Sequence, residues 1–264
     1  MGIAREIRCA RAYKWRSRAR KRDRGAFVLG HLTQGGALPE SHFALGYYLS
    51  PFSGLAVWCY NFRDVMPELF TIGHSTQSWE QFLDRLARHH IKAVGDVRSS
   101  PYSVRLPQFN REILERTLKL SGIQYVFLGN ELGARRSERE CYVDGIARYD
   151  RIARTPAFQS GLDRVRKGVG RFRLALMCAE KDPLECHRTI LVCREVRNEF
   201  DIRHILDDGT IENHSDAEAR LLAEERVPAE DFFISREELI ARAYDRRGGK
   251  IAYRESDEPA EMIE

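Results

Sequence analysis

The sequence predicts a single three-layer α/β domain, with a mostly parallel sheet of about five strands and helices on both faces, behind an irregular basic N-terminal extension. Three observations predict it. Short apolar runs alternate with amphipathic stretches from Leu69 onward. The stretches repeat their apolar residues at the helical period, while the runs have the length and composition of buried strands. Residues that cap or break helices stand at the joins between the two.

The elements follow in order. Residues 69–73 form the first strand; Ser78 and Gln81 then make a capping box, and Trp79, Phe82, Leu83 and Leu86 supply the buried stripe of a helix. Residues 93–97 are the second strand. Asn110 caps a helix carrying Ile113, Leu114 and Leu118, which Gly122 ends before a third strand at 124–128. Two helices are expected at 143–154 and 156–167, the second with proline in its first turn. The run 172–178 reads as the most buried strand, followed by a helix at 186–199 and a fifth strand at 202–206. Beyond Ser215 the chain looks helical and polar. The expected division is an extension over 1–65, the α/β domain over 66–246 and a loose tail over 247–264.

The 264 residues are 43% hydrophobic and 31% charged, a globular mixture that excludes fibrous and membrane-bundle classes. The net charge of +4 is unevenly placed. Residues 1–25 hold ten Lys/Arg and two Asp/Glu, whereas the other 239 hold 33 basic and 37 acidic groups, so the body is mildly acidic. The basic run from Arg16 to Arg24 has no apolar face and is expected to stay solvated and disordered. Residues 41–62 are uncharged over a membrane-spanning length, but Gly46, Pro51 and Gly54 interrupt them, so no membrane association is expected. Met66 is the expected natural start. Six cysteines without CxxC pairs suit reduced thiols in the cytoplasm.

Ligands of open α/β sheets bind where the strands end, and the predicted strand ends here are rich in polar residues. They carry Thr71-Ile72-Gly73-His74-Ser75, Asp96-Val97-Arg98-Ser99-Ser100-Pro101, Glu131-Leu132-Gly133, Cys178-Ala179-Glu180 with Cys186-His187-Arg188, and His204-Ile205 with Asp208-Gly209 and His214. Five motifs in this order, spanning 69–214, resemble the uncharacterised bacterial family called domain of unknown function 488. Ala134 departs from the family's tendency to place a second glycine after Glu-Leu-Gly. The resemblance implies a compact α/β fold and a loose association with DNA repair, and no established reaction.

The residues themselves point to a crevice for an anionic small molecule, phosphate-bearing or nucleotide-like. Arg98 and Arg188 offer two guanidinium forks, with Ser75, Ser99, Tyr102 and His187 beside them. A buried network with Asp96, Glu131 or Glu180 is the competing role for both arginines. His74, Asp96, Glu131 and Glu180 are candidate acid–base groups, and Cys178 or Cys186 a candidate thiolate. Neither cysteine fits Cys-x5-Arg, so phosphatase and rhodanese readings find no support. No metal ligand is assigned, because seven residues separate Cys178 from Cys186, far from zinc-knuckle spacing. Two alternatives stand beside the enzyme reading: a non-catalytic nucleotide- or nucleic-acid-binding accessory protein, resting on the basic arm and on stacking by Tyr102 and Phe109, and a thiol- or zinc-dependent site. The residues specify neither a cofactor nor an oligomeric state.

Overall fold

The computed structural model describes residues 48–49, 56–57 and 66–255. The basic run, most of the uncharged stretch 41–62 and residues 256–264 lie outside the described residues. Of two compact units, Met1–Val65 contains one described feature, the antiparallel pairing of Tyr48–Leu49 with Ala56–Val57. The second unit, Met66–Glu264, contains the main sheet.

That sheet has six strands, β1 Glu68–Gly73, β2 Ala93–Asp96, β3 Gln124–Phe127, β4 Leu174–Cys178, β5 Asp201–Ile205 and β6 Ile211–Asn213. Their order is β6-β5-β1-β4-β2-β3, parallel except for β6, which runs antiparallel to β5. Five helices matter to the layers: α1 Trp79–Arg88, α2 Arg111–Leu120, α3 Pro156–Val169, α4 His214–Glu224 and α5 Arg236–Ile251. Alternation along β1 decides which face each meets. Phe70 and Ile72 pack with Phe82 and Leu86 of α1 and Leu114 and Leu118 of α2. Leu69 faces the other way, into a core with Leu162 of α3, Leu221 of α4 and Ala243 of α5. This is the expected three-layer arrangement.

Topology selects one place along the sheet. The connection leaving β1 passes over β4 to reach β2, through α1 on one face. The connection leaving β4 passes over β1 to reach β5, through helical residues on the opposite face. The two chains part between the neighbouring strands β1 and β4, and the carboxyl ends at such a switch point are where open α/β sheets place their ligands.

Local chemistry explains the elements. Ser78 Oγ accepts from the Gln81 N–H, and the Gln81 side chain accepts from the Ser78 N–H, so α1 begins with the expected capping box. Asn110 precedes α2 without a side-chain cap; its Oδ1 accepts from the Ser103 N–H instead. The helix expected at 143–154 is replaced. Asp144 and Gly145 take φ of +50° and +70°, turning a small hairpin of Tyr142–Val143 and Ile146–Ala147, and only Tyr149–Ile152 is helical. The helix expected at 186–199 is a π-helix over Arg188–Cys193 continued by Arg194–Val196. β6 was not anticipated, and the boundary expected at 246 falls inside α5. Residues 247–251 are helical, and the buried Arg247 pairs with Glu224 and Glu225.

Candidate metal centre

At the crevice, β1 and β4 are joined beyond their last residues. The His74 N–H donates to the Cys178 carbonyl and the Ser75 N–H to the Ala179 carbonyl, both at 2.9 Å. Ser75 takes a φ of +46° to do so. Gly73 permits the approach: a Cβ there would lie 1.9 Å from the Glu180 carbonyl oxygen.

Two groups of side chains meet here. One is a closed network around Asp96, which is fully buried. Arg98 Nε donates to Asp96 Oδ1 at 2.9 Å and Nη2 to Oδ2 at 2.7 Å, while Nη2 also donates to the Phe109 carbonyl. Arg98 Nη1 donates to His74 Nε2 at 3.2 Å, and His74 Nδ1 donates to the Ser75 carbonyl at 2.9 Å. The Tyr125 hydroxyl donates to Asp96 Oδ2. His74 stacks on Phe109 with ring centroids 4.4 Å apart. Burial and the Arg98 charge lower its pKa to about 4, so the imidazole is neutral with both nitrogens engaged. His74, Asp96 and Arg98 therefore brace the crevice wall. Neither a mobile general base nor a free anion clamp is present among them, and Phe109 is buried beneath His74 rather than presented to bases.

The second group forms around the loop after β4. Cys178 ends the strand, Glu180 follows in the loop, and Cys186, His187 and Arg188 lie where the π-helix begins. One ligand atom from each of Cys178, Glu180, Cys186 and His187 lies within 4.8 Å of all the others. Both cysteines are buried, His187 is half-buried and Glu180 is exposed, so the group opens on the Glu180 side. Cys186 Sγ donates to Glu180 Oε2 at 2.9 Å, and Cys178 Sγ lies 3.6 Å from His187 Nδ1. His187 Nε2 donates to the Val97 carbonyl at 2.9 Å and Nδ1 faces the Cys178 sulfur; against burial, the adjacent Cys186, Glu180 and Val97 carbonyl raise the His187 pKa. The distance in sequence that argued against a metal is spanned by the turn at 183–185, Pro183–Glu185, which folds Cys186 back onto the end of β4.

Arg188 is fully buried. Its Nη1 donates to the Glu180 carbonyl at 2.7 Å and Nη2 to that of Lys181 at 3.3 Å, its main-chain N–H points at Cys186 Sγ at 3.4 Å, and its Nε has no partner. No carboxylate among the described residues pairs with it. Like Arg98, it is bound to its own surroundings and is not a free fork. Burial raises the Cys186 thiol, but Cys178, Arg188 and His187 outweigh burial and draw it well below the ordinary range. Burial and the adjacent Cys186 push Cys178 up. Glu180 is raised by desolvation and by Cys186, because its carboxyl turns in against the sulfurs although the residue as a whole is exposed.

The remaining expected site residues scatter. The Tyr102 hydroxyl donates to Glu112 on the exposed face of α2. Glu131 pairs with Arg164 of α3. Ser99 Oγ accepts from the Arg135 N–H, and Ser75 contributes through its backbone. The sequence reading missed the Val97 carbonyl that orients His187, and no residue type signals a main-chain acceptor. It also missed a buried chain on the α4–α5 face. Thr71 Oγ1 lies 2.8 Å from His204 Nδ1, His204 Nε2 lies 3.0 Å from His214 Nδ1, and the Tyr244 hydroxyl lies 3.0 Å from His214 Nε2 and donates to Glu218. His204 and His214 could be placed near one loop from sequence, but Tyr244, thirty residues further on, could not.

Among the described residues, no helix is long and apolar enough to cross a membrane. No curated protein and no solved structure matches the chain. A family model does: residues 78–194, from the cap of α1 into the helix after Cys186, match the one described as Domain of unknown function DUF488. The match takes in Asp96, Arg98, Cys178, Glu180, Cys186, His187 and Arg188, and leaves the first and last of the five motifs outside it. Over residues 78–194 the chain is thus similar to the DUF488 family.

Proposed function

We propose that the protein works through a zinc-class metal centre held by Cys178, Cys186 and His187, with Glu180 as the fourth donor, and that it is an enzyme using this centre as a Lewis acid. The observation that carries the reading is the convergence of two buried sulfurs, an imidazole nitrogen and a carboxylate oxygen within 4.8 Å. Two thiolates with an imidazole favour zinc over the hard cations magnesium and calcium, which take oxygen donors. When bound, such an ion polarises a substrate oxygen or lowers the pKa of a bound water.

The surroundings support this in two ways. His187 donates from Nε2 to a backbone carbonyl, the outer contact that fixes the ring of a metal-ligating histidine. Arg188 is a buried cation without a carboxylate partner, a costly arrangement unless negative charge stands beside it. Two thiolates and a carboxylate around a divalent cation leave one net negative charge next to the guanidinium, which makes the whole assembly neutral. A carboxylate–arginine lattice like the one at Asp96 is not needed there.

Metal content tests the reading. Purified full-length protein should carry about one equivalent of zinc, or take it up with a large rise in melting temperature. Cys178→Ser and Cys186→Ser should each lose it. A reduced wild-type protein that holds no zinc, and whose melting does not respond to added zinc, contradicts the reading.

A further inference from the structure

The four donors are not equivalent, and the difference says what the centre takes as a ligand. Cys178 is fixed by β4, whose last residue is clamped through its carbonyl to His74. Cys186 and His187 are fixed at the start of the π-helix, the sulfur by the Arg188 N–H and the ring by the Val97 carbonyl. Glu180 is held differently. Its backbone is pinned, because its carbonyl accepts from Arg188 and lies against Gly73, but the residue is exposed, its carboxyl reaches inward to the sulfurs of Cys186 and Cys178, and it has no salt-bridge partner among the described residues. Three anchored donors with one position facing solvent is the pattern of a catalytic centre rather than a closed structural one.

Charge then selects the ligand. If the Glu180 carboxylate swings out to water, regaining the solvation that its inward position denies it, two thiolates and the divalent cation are neutral and the buried Arg188 is left uncompensated. An incoming monoanionic oxygen donor restores the balance; a neutral ligand does not. We infer that Glu180 is a displaceable ligand whose place is taken by an anionic oxygen group of a small substrate, a carboxylate or phosphate, so that the side chain acts as an internal competitor for the substrate position. The inference rests on the metal reading and names the substrate class of that same centre. It also gives the anionic ligand expected from the sequence a different anchor, since Arg98 and Arg188 are both engaged elsewhere.

The exchange is a substitution with no change in oxidation state. The metal–oxygen bond to Glu180 breaks, one to the incoming oxygen forms, and each carboxylate or phosphate keeps its electron pairs. Cobalt(II) replacing zinc in the full-length protein makes it visible, because thiolate-to-cobalt bands report that the ion is held and the ligand-field bands report its fourth ligand. Acetate and inorganic phosphate serve as probes. In the wild type, millimolar probe should shift the ligand-field bands while the thiolate bands persist. Glu180→Ala, a change at an exposed side chain, should keep the thiolate bands and bind acetate about tenfold more tightly, because the competitor is gone. Cobalt held with thiolate bands, but with ligand-field bands unmoved by either anion in both proteins, overturns the inference and leaves the metal reading standing. Failure of the reduced wild type to hold cobalt at all overturns both.

Discussion

Gly73 and Arg98 show how single residues make this crevice. At Gly73 a methyl group would meet the Glu180 carbonyl, the same oxygen that holds Arg188. Gly73→Ala should therefore cost about 1–3 kcal/mol of stability, as overpacking does, and weaken zinc retention; chemical denaturation with parallel metal analysis measures both. Arg98 is one half of a buried ion pair with Asp96. Arg98→Met leaves Asp96 buried without its cation and should cost about 3–5 kcal/mol in urea unfolding, whereas Arg98→Met with Asp96→Leu should cost less than the single change. A double variant less stable than Arg98→Met would contradict the role assigned to the pair. Much of this was legible residue by residue. Gly73, His74, Asp96, Arg98, Cys178 and Glu180 stand out as polar or special residues at or just past strand ends, and the structure puts them there, while Cys186, His187 and Arg188 stand out at a helix start and fold back onto the end of β4. Their roles were less legible. Partners such as the carbonyls of Phe109, Val97, Glu180 and Lys181 belong to the backbone and leave no mark in residue type, so the two arginines read as free forks when both are occupied.

Elements divide in the same way between local and distant causes. The strands at the centre of the sheet and helices α1 to α3 follow from apolar period, caps and breakers, which act within a few residues. The hairpin at 142–147 did not, because the apolar residues around Asp144-Gly145 also fit a helical stripe, and only the positive φ at both turn residues separates the alternatives. β6 is three residues long, too short to carry a period. The contact between β5, α4 and α5 is set by chain folding alone and buries two histidines. Burial lowers His214 to about 4, against the Glu218 charge that raises it and with Arg197 that lowers it; burial, then His214 and Arg188, hold His204 well below its ordinary value. The chain from Thr71 to Glu218 fits neutral imidazoles, each accepting at Nδ1 and donating at Nε2. Both histidines bind protons more readily when unfolded, so stability is complete above about pH 6.5 and is lost as the pH falls toward 4. His214 alone should account for about 3 kcal/mol across that window. His214→Gln should flatten the profile between pH 6.5 and 4, as followed by urea unfolding at each pH. An unchanged slope would contradict the neutral, buried state of this ring.

On the scale of the whole molecule, the three-layer class was legible but the strand order was not. Placing β4 between β1 and β2 requires two crossovers on opposite faces, and no local pattern encodes a crossover's destination. That order is what brings the end of β4 beside Val97 and His74, and with them the donors of Cys178, Cys186 and His187. The charge division also holds a prediction. The second compact unit begins at Met66, so a chain starting there should melt within about 4 °C of the full-length protein and take up zinc to the same extent; a shortfall in either would show that residues 1–65 support the fold. The proposed centre holds a metal ion by two sulfurs, one imidazole and one oxygen at the ends of β1 and β4. X-ray absorption at the zinc edge of the full-length protein tests it most directly. Two sulfur neighbours at about 2.3 Å with two lighter atoms at about 2.0–2.2 Å are expected, reduced to a single sulfur or to no bound zinc in Cys186→Ser. A shell of nitrogen and oxygen alone, or one unchanged by Cys186→Ser, would contradict it.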